Sequence, residues 1–371
     1  MIGAATLKTI KDFIAAAIAE RDSTQTGAVA PSDAWRVGAQ FFNYVRQLDA
    51  EELRFIRRHT FHFTGDIYQR YIFGSASDRA DLLEAANSCF ARLPGFRLGE
   101  TEIGIGYDSD LGRISSDLIR YVSVLADLVD SGSLNDVGKK HVLEIGGGYG
   151  GLARAVLAYS SDCSYTICDL EETLFCSAVY LSNLIGAERV HLVEGTLKTK
   201  DLQEGHVFLI PQSRLDRIEA EFDLALNQQS MQEMNTGQID RYCDFMRWHV
   251  LRFYSRNLPN LAAVSITSDF LSQFKLVKDL NAYLREKFPR VLWIGPAETN
   301  QVGDAYMERL VFACGSTEAP TAADVEALRT EVFRLRSELA RATARYDAIV
   351  SSRSWRLTRP LRAFPTLFRT R

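Results

Sequence analysis

The stretch His141–Leu152 reads HVLEIGGGYGGL and decides the fold. A short apolar run stands before its glycines and a helix-forming run follows them, which predicts a buried strand, a tight turn and a helix. Glycines in such a turn let a ligand approach bare backbone at the N-terminus of the helix, where N–H groups point outward. The sequence therefore predicts a ligand site here, built around Gly146, Gly148 and Gly150.

Strands and helices alternate from Lys140 onward. This alternation predicts a parallel, doubly wound sheet of the Rossmann-like α/β class. The predicted strands are His141–Ile145, Tyr165–Cys168, Val190–Val193, Phe222–Leu226, Leu261–Thr267 and a late pair, Val291–Ile294 and Leu310–Cys314. The predicted helices are Leu152–Tyr159, Glu171–Leu184, Ile239–Tyr254 and one that ends near Lys287.

Residues 1–138 have a different, mostly helical pattern. Apolar residues three and four apart predict helices at Ala34–Leu48 and Ser116–Val129, with Asp33 and Ser115 as their N-caps. Between these helices, Leu93–Gly112 is rich in glycine and acidic residues and predicts a loop. We assign 1–138 to a helical, acceptor-binding region and 139–315 to the domain that holds the ligand of the glycine turn.

Two acidic residues discriminate between ligands. Glu144 lies inside the first strand, where a carboxylate is unfavourable beside a pyrophosphate but suits the amino group of a methionine moiety. Asp169 ends the second strand, 21 residues after Gly148, and can accept the ribose hydroxyls of either kind of ligand. The pattern favours S-adenosylmethionine (SAM). A nicotinamide or flavin nucleotide stays open because Gly146, Gly148 and Gly151 also fit GxGxxG, and a turn that binds nothing is the third interpretation.

Three blocks resemble successive signatures of a family of sugar O-methyltransferases, which are class I SAM-dependent methyltransferases. They are VLEIGGGYGGLARAVL at 142–157, YTICDLEETLFCSAVYLSNL at 165–184 and FDLALNQQSMQEM at 222–234. The acidic stretch GETEIG at 99–104 is similar to the region that precedes this domain in the family. Glu171 departs from the pattern, because the family often has proline there. The resemblance implies the class I methyltransferase fold and a methyl transfer from SAM to a sugar hydroxyl.

The resemblance also implies a set of cofactor-binding residues at the carboxyl ends of the strands. The residues that it assigns are, for the methionine end, Glu144, Gly146, Gly148 and Gly150; for the ribose, Asp169; for the adenine, Leu170, with Glu194 and Gly195 near its edge; and for the sulfonium, Asn227 and Gln228.

Methyl transfer to a hydroxyl benefits from a group that takes the proton, because the hydroxyl pKa is high. Glu233 and Ser230 follow the fourth strand and are the catalytic candidates, although an acid at the start of a helix that only orients the loop explains Glu233 equally well. The weaker candidates are His59 and His62, which could line an acceptor pocket, and Asp269, which could bind a sugar hydroxyl or a metal. His249 is predicted to be a packed structural residue. Metal dependence stays open: no His/Cys cluster has zinc spacing, whereas carboxylates from distant loops can assemble a divalent-ion site.

Composition narrows the class of protein further. The chain has 371 residues, 46% of them hydrophobic, and a net charge of −4, which gives no case for a nucleic-acid partner. None of the six cysteines forms a CxxC pair, so we expect free thiols in a reducing compartment. No run approaches about 18 uninterrupted apolar residues. We therefore expect a cytoplasmic protein without a transmembrane helix.

The C-terminal residues predict an appendage outside the sheet. Gly315–Thr321 reads GSTEAPT and predicts a linker, and residues 322–350 predict a coiled coil. Apolar residues occupy its a positions (Val325, Val332, Leu339, Tyr346) and its d positions (Leu328, Leu335, Ala342, Ile349). β-Branched residues at a with leucine at d favour a parallel dimer, so we expect a homodimer; a helix packed on its own chain is the alternative.

Residues 351–371 form a basic amphipathic tail with six arginines and no acid. Arginine interleaved with Trp355, Leu361 and Phe364 suits an anionic membrane surface, which would place the protein peripherally at the inner face of the membrane; a disordered tail is the alternative. Its core, SRSWRLTRPLR, resembles tails of bacterial surface-polysaccharide enzymes and implies an acceptor in O-antigen, lipopolysaccharide or capsule synthesis. The rival functions are methylation of a non-sugar small molecule and a catalytically silent scaffold that recruits polysaccharide enzymes.

Overall fold

The computed structural model describes residues 2–24, 35, 42–60, 68–134, 140–258, 277, 279–295, 298–299 and 306–314. Several predictions therefore lie outside the described residues. They are the strand Leu261–Thr267, the N-cap Asp33, the candidates His62 and Asp269, the linker, the coiled coil and the basic tail.

The described strands form a small hairpin and one large sheet. The hairpin pairs β1 (Tyr107–Ser109) with β2 (Gly112–Ile114). The strands of the large sheet are β3 (Lys140–Ile145), β4 (Cys163–Asp169), β5 (Val190–Leu192), β6 (Val207–Pro211), β7 (Phe222–Gln228), β8 (Val250–Asn257), β9 (Val291–Ile294), β10 (Glu298–Thr299) and β11 (Tyr306–Ala313).

The order across the sheet is β5-β6-β4-β3-β7-β8-β11, and β9 and β10 both pair with β11. The six strands from β5 to β8 are parallel, whereas β11 runs antiparallel to β8 and to β9. A parallel, doubly wound sheet with helices on both faces and one reversed strand near its edge is a Rossmann-like α/β arrangement. The predicted Rossmann-like α/β fold is confirmed.

Helices cover both faces of the sheet and build the N-terminal region. They are α1 (Ala4–Thr24), α2 (Ala50–Leu53), α3 (Tyr68–Phe73), α4 (Ala76–Ala91), α5 (Ser116–Asp130), α6 (Gly151–Tyr159), α7 (Glu171–Ile185), α8 (Thr236–His249) and α9 (Leu280–Lys287). Ser115 caps α5 as predicted, since its hydroxyl accepts the Leu118 N–H at 3.0 Å. None of the described helices is both long enough and apolar enough to cross a membrane.

The predicted helix Ile239–Tyr254 is wrong in its last five residues, Val250–Tyr254. Helix α8 ends at His249, and Val250 begins strand β8 in extended conformation, with φ −131° and ψ 136°. The residues VLRFY of this strand are mainly β-branched, apolar and aromatic, which favours a buried strand over a further helical turn. Strand β8 pairs in parallel with β7, on the side of β7 away from β3, and is the sixth parallel strand of the sheet in chain order.

Two local predictions in the N-terminal region also need correction. The continuous helix predicted to Leu48 is replaced, in its described part, by a turn and a short 3₁₀ helix at Val45–Gln47. The loop predicted at Leu93–Gly112 contains strand β1 and the first residue of β2.

The N-terminal region joins the sheet domain through buried ion pairs. Arg21, at the end of α1, donates to Glu171 at 2.8 Å and to Glu172 at 2.8 Å, the first two residues of α7. Arg57 pairs with Asp117 at 3.0 Å within the N-terminal region, and its guanidinium carbon reaches across to lie 4.0 Å from the ring centre of Tyr149, in the glycine turn. A buried ion pair that loses one partner is strongly destabilising, so these contacts tie the two regions into one folding unit.

All six cysteines are free thiols, as predicted, and five of them are buried.

Candidate functional site

The glycine turn follows β3 and leads directly into α6. Gly146, Gly148 and Gly150 have φ values of 76°, 58° and 87°, in the left-handed region that favours glycine. A Cβ at Gly146 would overlap the side chain of Ser230, which comes from the loop after β7. The turn therefore needs glycine both for its backbone conformation and for the close approach of a neighbouring loop.

The N–H groups of these glycines are already bonded inside the protein. Gly146 donates to the Cys168 carbonyl at 2.9 Å, and Gly150 donates to the Gly147 carbonyl at 3.0 Å. Gly148 donates to Oδ2 of Asp169 at 2.8 Å. A turn that cradles phosphate offers such N–H groups to the anion. Here they hold the turn against the end of β4.

Asp169 is the predicted acid at the end of β4. Its two carboxylate oxygens accept the N–H groups of Gly148 at 2.8 Å and Leu170 at 2.7 Å. Burial raises the pKa of Asp169 to about 6, although these donors act in the opposite direction. The side chain lines the cleft described below, so a carboxylate faces the ligand space at the point where β4 ends.

Glu144 is buried in β3 and also faces this space. The Tyr165 hydroxyl on β4 donates to its Oε2 at 2.9 Å. Burial raises the pKa of Glu144 to about 8, against the opposing effects of this hydrogen bond and of the Arg120 charge. A cation that enters the cleft would stabilise the charged form of this buried carboxyl group.

Arg120, on α5, supplies a positive charge at the same wall. Its Nη2 donates to Asp117 at 2.7 Å, and its Nη1 donates to the side chain of Gln229 at 3.1 Å. With its amide oriented to accept, the Gln228 side chain receives Arg120 Nε at 2.9 Å. The loop after β7 therefore fixes Arg120, and Gln229 adopts a positive φ of 54° there.

These groups line one open cleft of about 810 Å³ at the carboxyl ends of β3, β4, β6 and β7. Open α/β sheets bind ligands at this edge, where the strand order reverses. The residues that line it are Trp35, Arg120, Tyr121, Glu144, Gly146, Gly147, Gly148, Asp169, Leu170, Thr173, Gln212, Gln228, Gln229, Ser230, Glu233, Met234, Gln238 and Tyr242.

The structure brings most of the predicted site residues together in this cleft. Those that line it are Glu144, Gly146, Gly148, Asp169, Leu170, Gln228, Ser230 and Glu233. Gly150 lies behind it, at the start of α6. Asn227 is fully buried and bonds to the Ile145 carbonyl at 2.7 Å and to the Met231 N–H at 3.0 Å. Its side chain holds the ends of β3 and β7 together from behind the cleft.

Glu194 and Gly195 lie away from the cleft lining, at exposed positions after β5. The reason is strand β6, which sequence analysis missed and which stands between β5 and β4. Gln212, directly after β6, lines the cleft at the position expected for the residue after the third strand. The apolar run VFLIP at Val207–Pro211, between Gly205 and a run of polar residues, is the pattern that could have predicted this strand.

Glu233 is held by a residue of the N-terminal region. Trp35 Nε1 donates to Glu233 Oε2 at 2.7 Å, across 198 positions of sequence. Burial raises the pKa of Glu233 to about 7; the Trp35 bond lowers it and the charge of Asp169 raises it. A carboxyl group with a pKa near neutrality can take a proton at physiological pH.

Sequence analysis also missed Trp35, Arg120, Gln229, Gln238 and Tyr242 as cleft residues. Arg120 carries a detectable pattern, because it interrupts the apolar face of α5. Trp35 carries none, since its contact with Glu233 depends on tertiary structure alone.

His59 and His249, the candidate histidines that the structure describes, do not line the cleft. His249 stacks on Phe245 with ring centres 4.5 Å apart and contacts the Ala220 carbonyl at 3.2 Å, as expected for a structural residue. His59 lies 3.3 Å from the Tyr44 hydroxyl. Within the part of the chain that the structure describes, no group of three or more His, Cys, Asp or Glu side chains could hold a metal ion.

No protein-family model and no curated protein matches this sequence significantly. Solved methyltransferase structures are similar to it at low identity. The magnesium protoporphyrin IX methyltransferase of Synechocystis with bound S-adenosylhomocysteine (SAH) is 12% identical, with a TM-score of 0.39 over 64% of this chain and 97% of that chain. Mitomycin 7-O-methyltransferase is 13% identical, with a TM-score of 0.34 over 53% of this chain and 57% of that chain. The pyocyanin biosynthetic protein PhzM is 12% identical, with a TM-score of 0.33 over 72% of this chain and 75% of that chain. These likenesses are too distant to identify a ligand or a reaction, so the fold assignment rests on the strand order.

The crowding at Gly146 can be separated from its backbone strain by comparison with Gly95. Both glycines have a similar positive φ, 76° and 80°, but a Cβ at Gly95 meets nothing within 4 Å. We expect Gly95→Ala to lower the free energy of unfolding by about 1–2 kcal/mol, the cost of a left-handed conformation. Gly146→Ala should cost clearly more, because Ser230 must also move. Urea denaturation of the two full-length variants measures both values, and equal losses would contradict the close approach of the two loops.

Proposed function

We propose that this protein is a SAM-dependent methyltransferase. The observation that carries the proposal is the pairing of a basic and an acidic side chain on the cleft wall, the Arg120 guanidinium and the Glu144 carboxyl group, beside the carboxylate of Asp169. An amino-acid moiety has an ammonium and a carboxylate that match this pair, and a ribose has hydroxyls that match Asp169. A nucleoside joined to an amino acid, as in SAM, combines both features.

The cleft residues fit the parts of SAM in order. Glu144 would accept hydrogen bonds from the ammonium group of SAM, and Arg120 would bind its carboxylate. Asp169 would accept the ribose hydroxyls, and Leu170 with Tyr242 would pack on the adenine, whose polar edge would reach Gln212. When bound, the cofactor supplies an electrophilic methyl group on a sulfonium.

A nicotinamide or flavin dinucleotide fits the same cleft poorly. Its pyrophosphate would need the N–H groups of the glycine turn, but those of Gly146, Gly148 and Gly150 bond to protein oxygens. The same anion would also lie beside the buried carboxyl group of Glu144, which is electrostatically unfavourable. A silent scaffold is disfavoured as well, because a domain without a ligand gains nothing from buried acids that raise the cost of folding.

For the acceptor we propose a sugar hydroxyl, which makes the reaction an O-methylation. The hydroxyl oxygen would attack the methyl carbon, the carbon–sulfur bond would break with its electron pair going to sulfur, and Glu233 would take the hydroxyl proton. The products are SAH and a methyl ether. The wall near Glu233 carries neutral hydrogen-bonding groups, Ser230, Gln229 and Gln238, which suit a polyol. The resemblance of the three sequence blocks to sugar O-methyltransferases supports the same acceptor.

The biological setting rests on sequence alone. The heptads at 322–350 support a homodimer, and the tail at 351–371 supports contact with an anionic membrane surface and a role in surface-polysaccharide synthesis. We propose a cytoplasmic enzyme, peripheral at the inner face of the membrane.

SAH binding should depend on pH through Glu144. In the free protein the pKa of Glu144 is about 8, so the group is mostly protonated at pH 7, whereas the ligand ammonium favours the carboxylate. Binding at pH 7 should therefore release about one proton, and affinity should rise between pH 6.5 and 8 by at most about tenfold per pH unit. Titration calorimetry in buffers of different ionisation enthalpy measures both effects.

The matched variant is Glu144→Gln, which keeps the shape of the side chain and removes its titration. It should weaken SAH binding by about 1.5–3 kcal/mol at pH 8 and abolish most of the proton release. Affinity of the wild type that does not change with pH would contradict the pairing of Glu144 with the ammonium. Absence of SAH binding at every pH would overturn the cofactor assignment.

The acceptor class is tested with SAM that carries a radioactive methyl group. The full-length protein should label nucleotide sugars or oligosaccharides, and the label should resist mild base, because methyl ethers survive conditions that hydrolyse methyl esters. Labelling of phenolic or carboxylic acceptors instead of sugars would replace the sugar proposal and leave the methyltransferase proposal intact.

A further inference from the structure

The contact between Trp35 and Glu233 joins two walls of the cleft. Trp35 belongs to the N-terminal region, and Glu233 ends the 3₁₀ turn Met231–Glu233 that follows β7. The indole Nε1 lies 2.7 Å from Glu233 Oε2, a short distance for an N–H···O hydrogen bond. Both side chains line the cleft beside Asp169.

This contact places the two carboxylate oxygens of Glu233 in different surroundings. Oε2 is occupied by the indole N–H, which is only a donor and can neither take nor relay a proton. Oε1 accepts no hydrogen bond from any described residue, and it is not enclosed away from the cleft. One oxygen is therefore anchored, while the other is accessible to a molecule that enters the cleft.

Trp35 is itself held in place by a second aromatic residue. Its ring stacks on Phe42, with centroids 6.2 Å apart and planes inclined by 18°. Phe42 is buried in the core of the N-terminal region. The anchor on Glu233 is therefore fixed to a packed core, so the position of the carboxylate depends on the N-terminal region.

We propose that Trp35 is a positioning residue of the transfer site: by fixing one oxygen of Glu233, it presents the other to the hydroxyl of the acceptor. This inference rests on the proposed function, since it assigns the orientation of the group that takes the proton. It gives the N-terminal region a part in the chemistry as well as in acceptor binding.

The charged groups that share the cleft with Glu233 are Asp169, Glu144 and Arg120, and its tyrosines are Tyr121 and Tyr242. Of these, only Asp169 shifts the pKa of Glu233, and it raises it. Burial raises the pKa of both tyrosines well above neutrality. Glu144 titrates higher, at about 8, and Asp169 lower, at about 6, so a transition near pH 7 is assigned to Glu233 by its loss in Glu233→Gln.

The test is the pH dependence of tryptophan fluorescence in the full-length protein, which has four tryptophans. The emission that Trp35 contributes is the difference between the wild type and Trp35→Phe. This difference should show one transition with a midpoint at about pH 7, because the indole N–H bonds to the carboxylate above the pKa of Glu233 and loses a charged acceptor below it. Trp248→Phe is the matched control: Trp248 is 78% exposed, and its removal should leave the transition in place.

Glu233→Gln should abolish the transition, because the neutral amide does not titrate. A difference spectrum that stays flat from pH 6 to 8, or a transition that persists in Glu233→Gln, would overturn the proposal. A flat difference spectrum between the wild type and Trp35→Phe overturns the proposal without any Glu233 variant, so the proposal can be refuted even if Glu233→Gln does not fold.

SAH calorimetry on the wild type separates this proposal from the proposed function. Normal SAH binding without the fluorescence transition would remove the role of Trp35 alone. A normal transition without SAH binding would remove the methyltransferase assignment, and with it the chemical meaning of the contact.

Discussion

The site depends on the hydrogen bonds that the Asp169 carboxylate accepts from the backbone. By accepting the N–H groups of Gly148 and Leu170, the carboxylate ties the glycine turn after β3 to the end of β4. The N–H groups of Gly146 and Gly150 are likewise bonded to carbonyl groups of the protein. In the proposed function, these bonds favour a nucleoside joined to an amino acid over a pyrophosphate, which would need such N–H donors.

The cleft also depends on residues outside the sheet domain. Arg57 lies between Asp117 and the ring of Tyr149, so a residue of the N-terminal region contacts the glycine turn from behind. The other oxygen of the Asp117 carboxylate fixes Arg120, which faces the ligand space. The boundary near residue 138 separates two kinds of sequence pattern, but residues from both regions line the cleft. A sheet domain without its N-terminal region would lose Arg120 itself and Trp35, which holds Glu233.

The sequence predicted those parts of the site that depend on local pattern. Strand β3, its glycine turn and the acids Glu144 and Asp169 follow from short-range periodicity and from the position of acids at strand ends. Strand β6 was not predicted, and its insertion moves Glu194 and Gly195 away from the cleft. The order of strands across a sheet depends on long-range packing, which the spacing of residues along the chain does not encode. The contact between Trp35 and Glu233 escapes sequence analysis for the same reason.

In the proposed function, Arg120 and Glu144 recognise an amino-acid moiety attached to a nucleoside. This recognition is tested most directly by comparing the affinity of SAH with that of 5′-methylthioadenosine, which keeps the nucleoside and thioether but lacks the ammonium and the carboxylate. SAH should bind at least about a hundredfold more tightly, the effect of two charge-assisted contacts, and most of this difference should vanish in a variant with both Arg120→Met and Glu144→Gln. Equal affinities of the two ligands for the wild type would contradict the account.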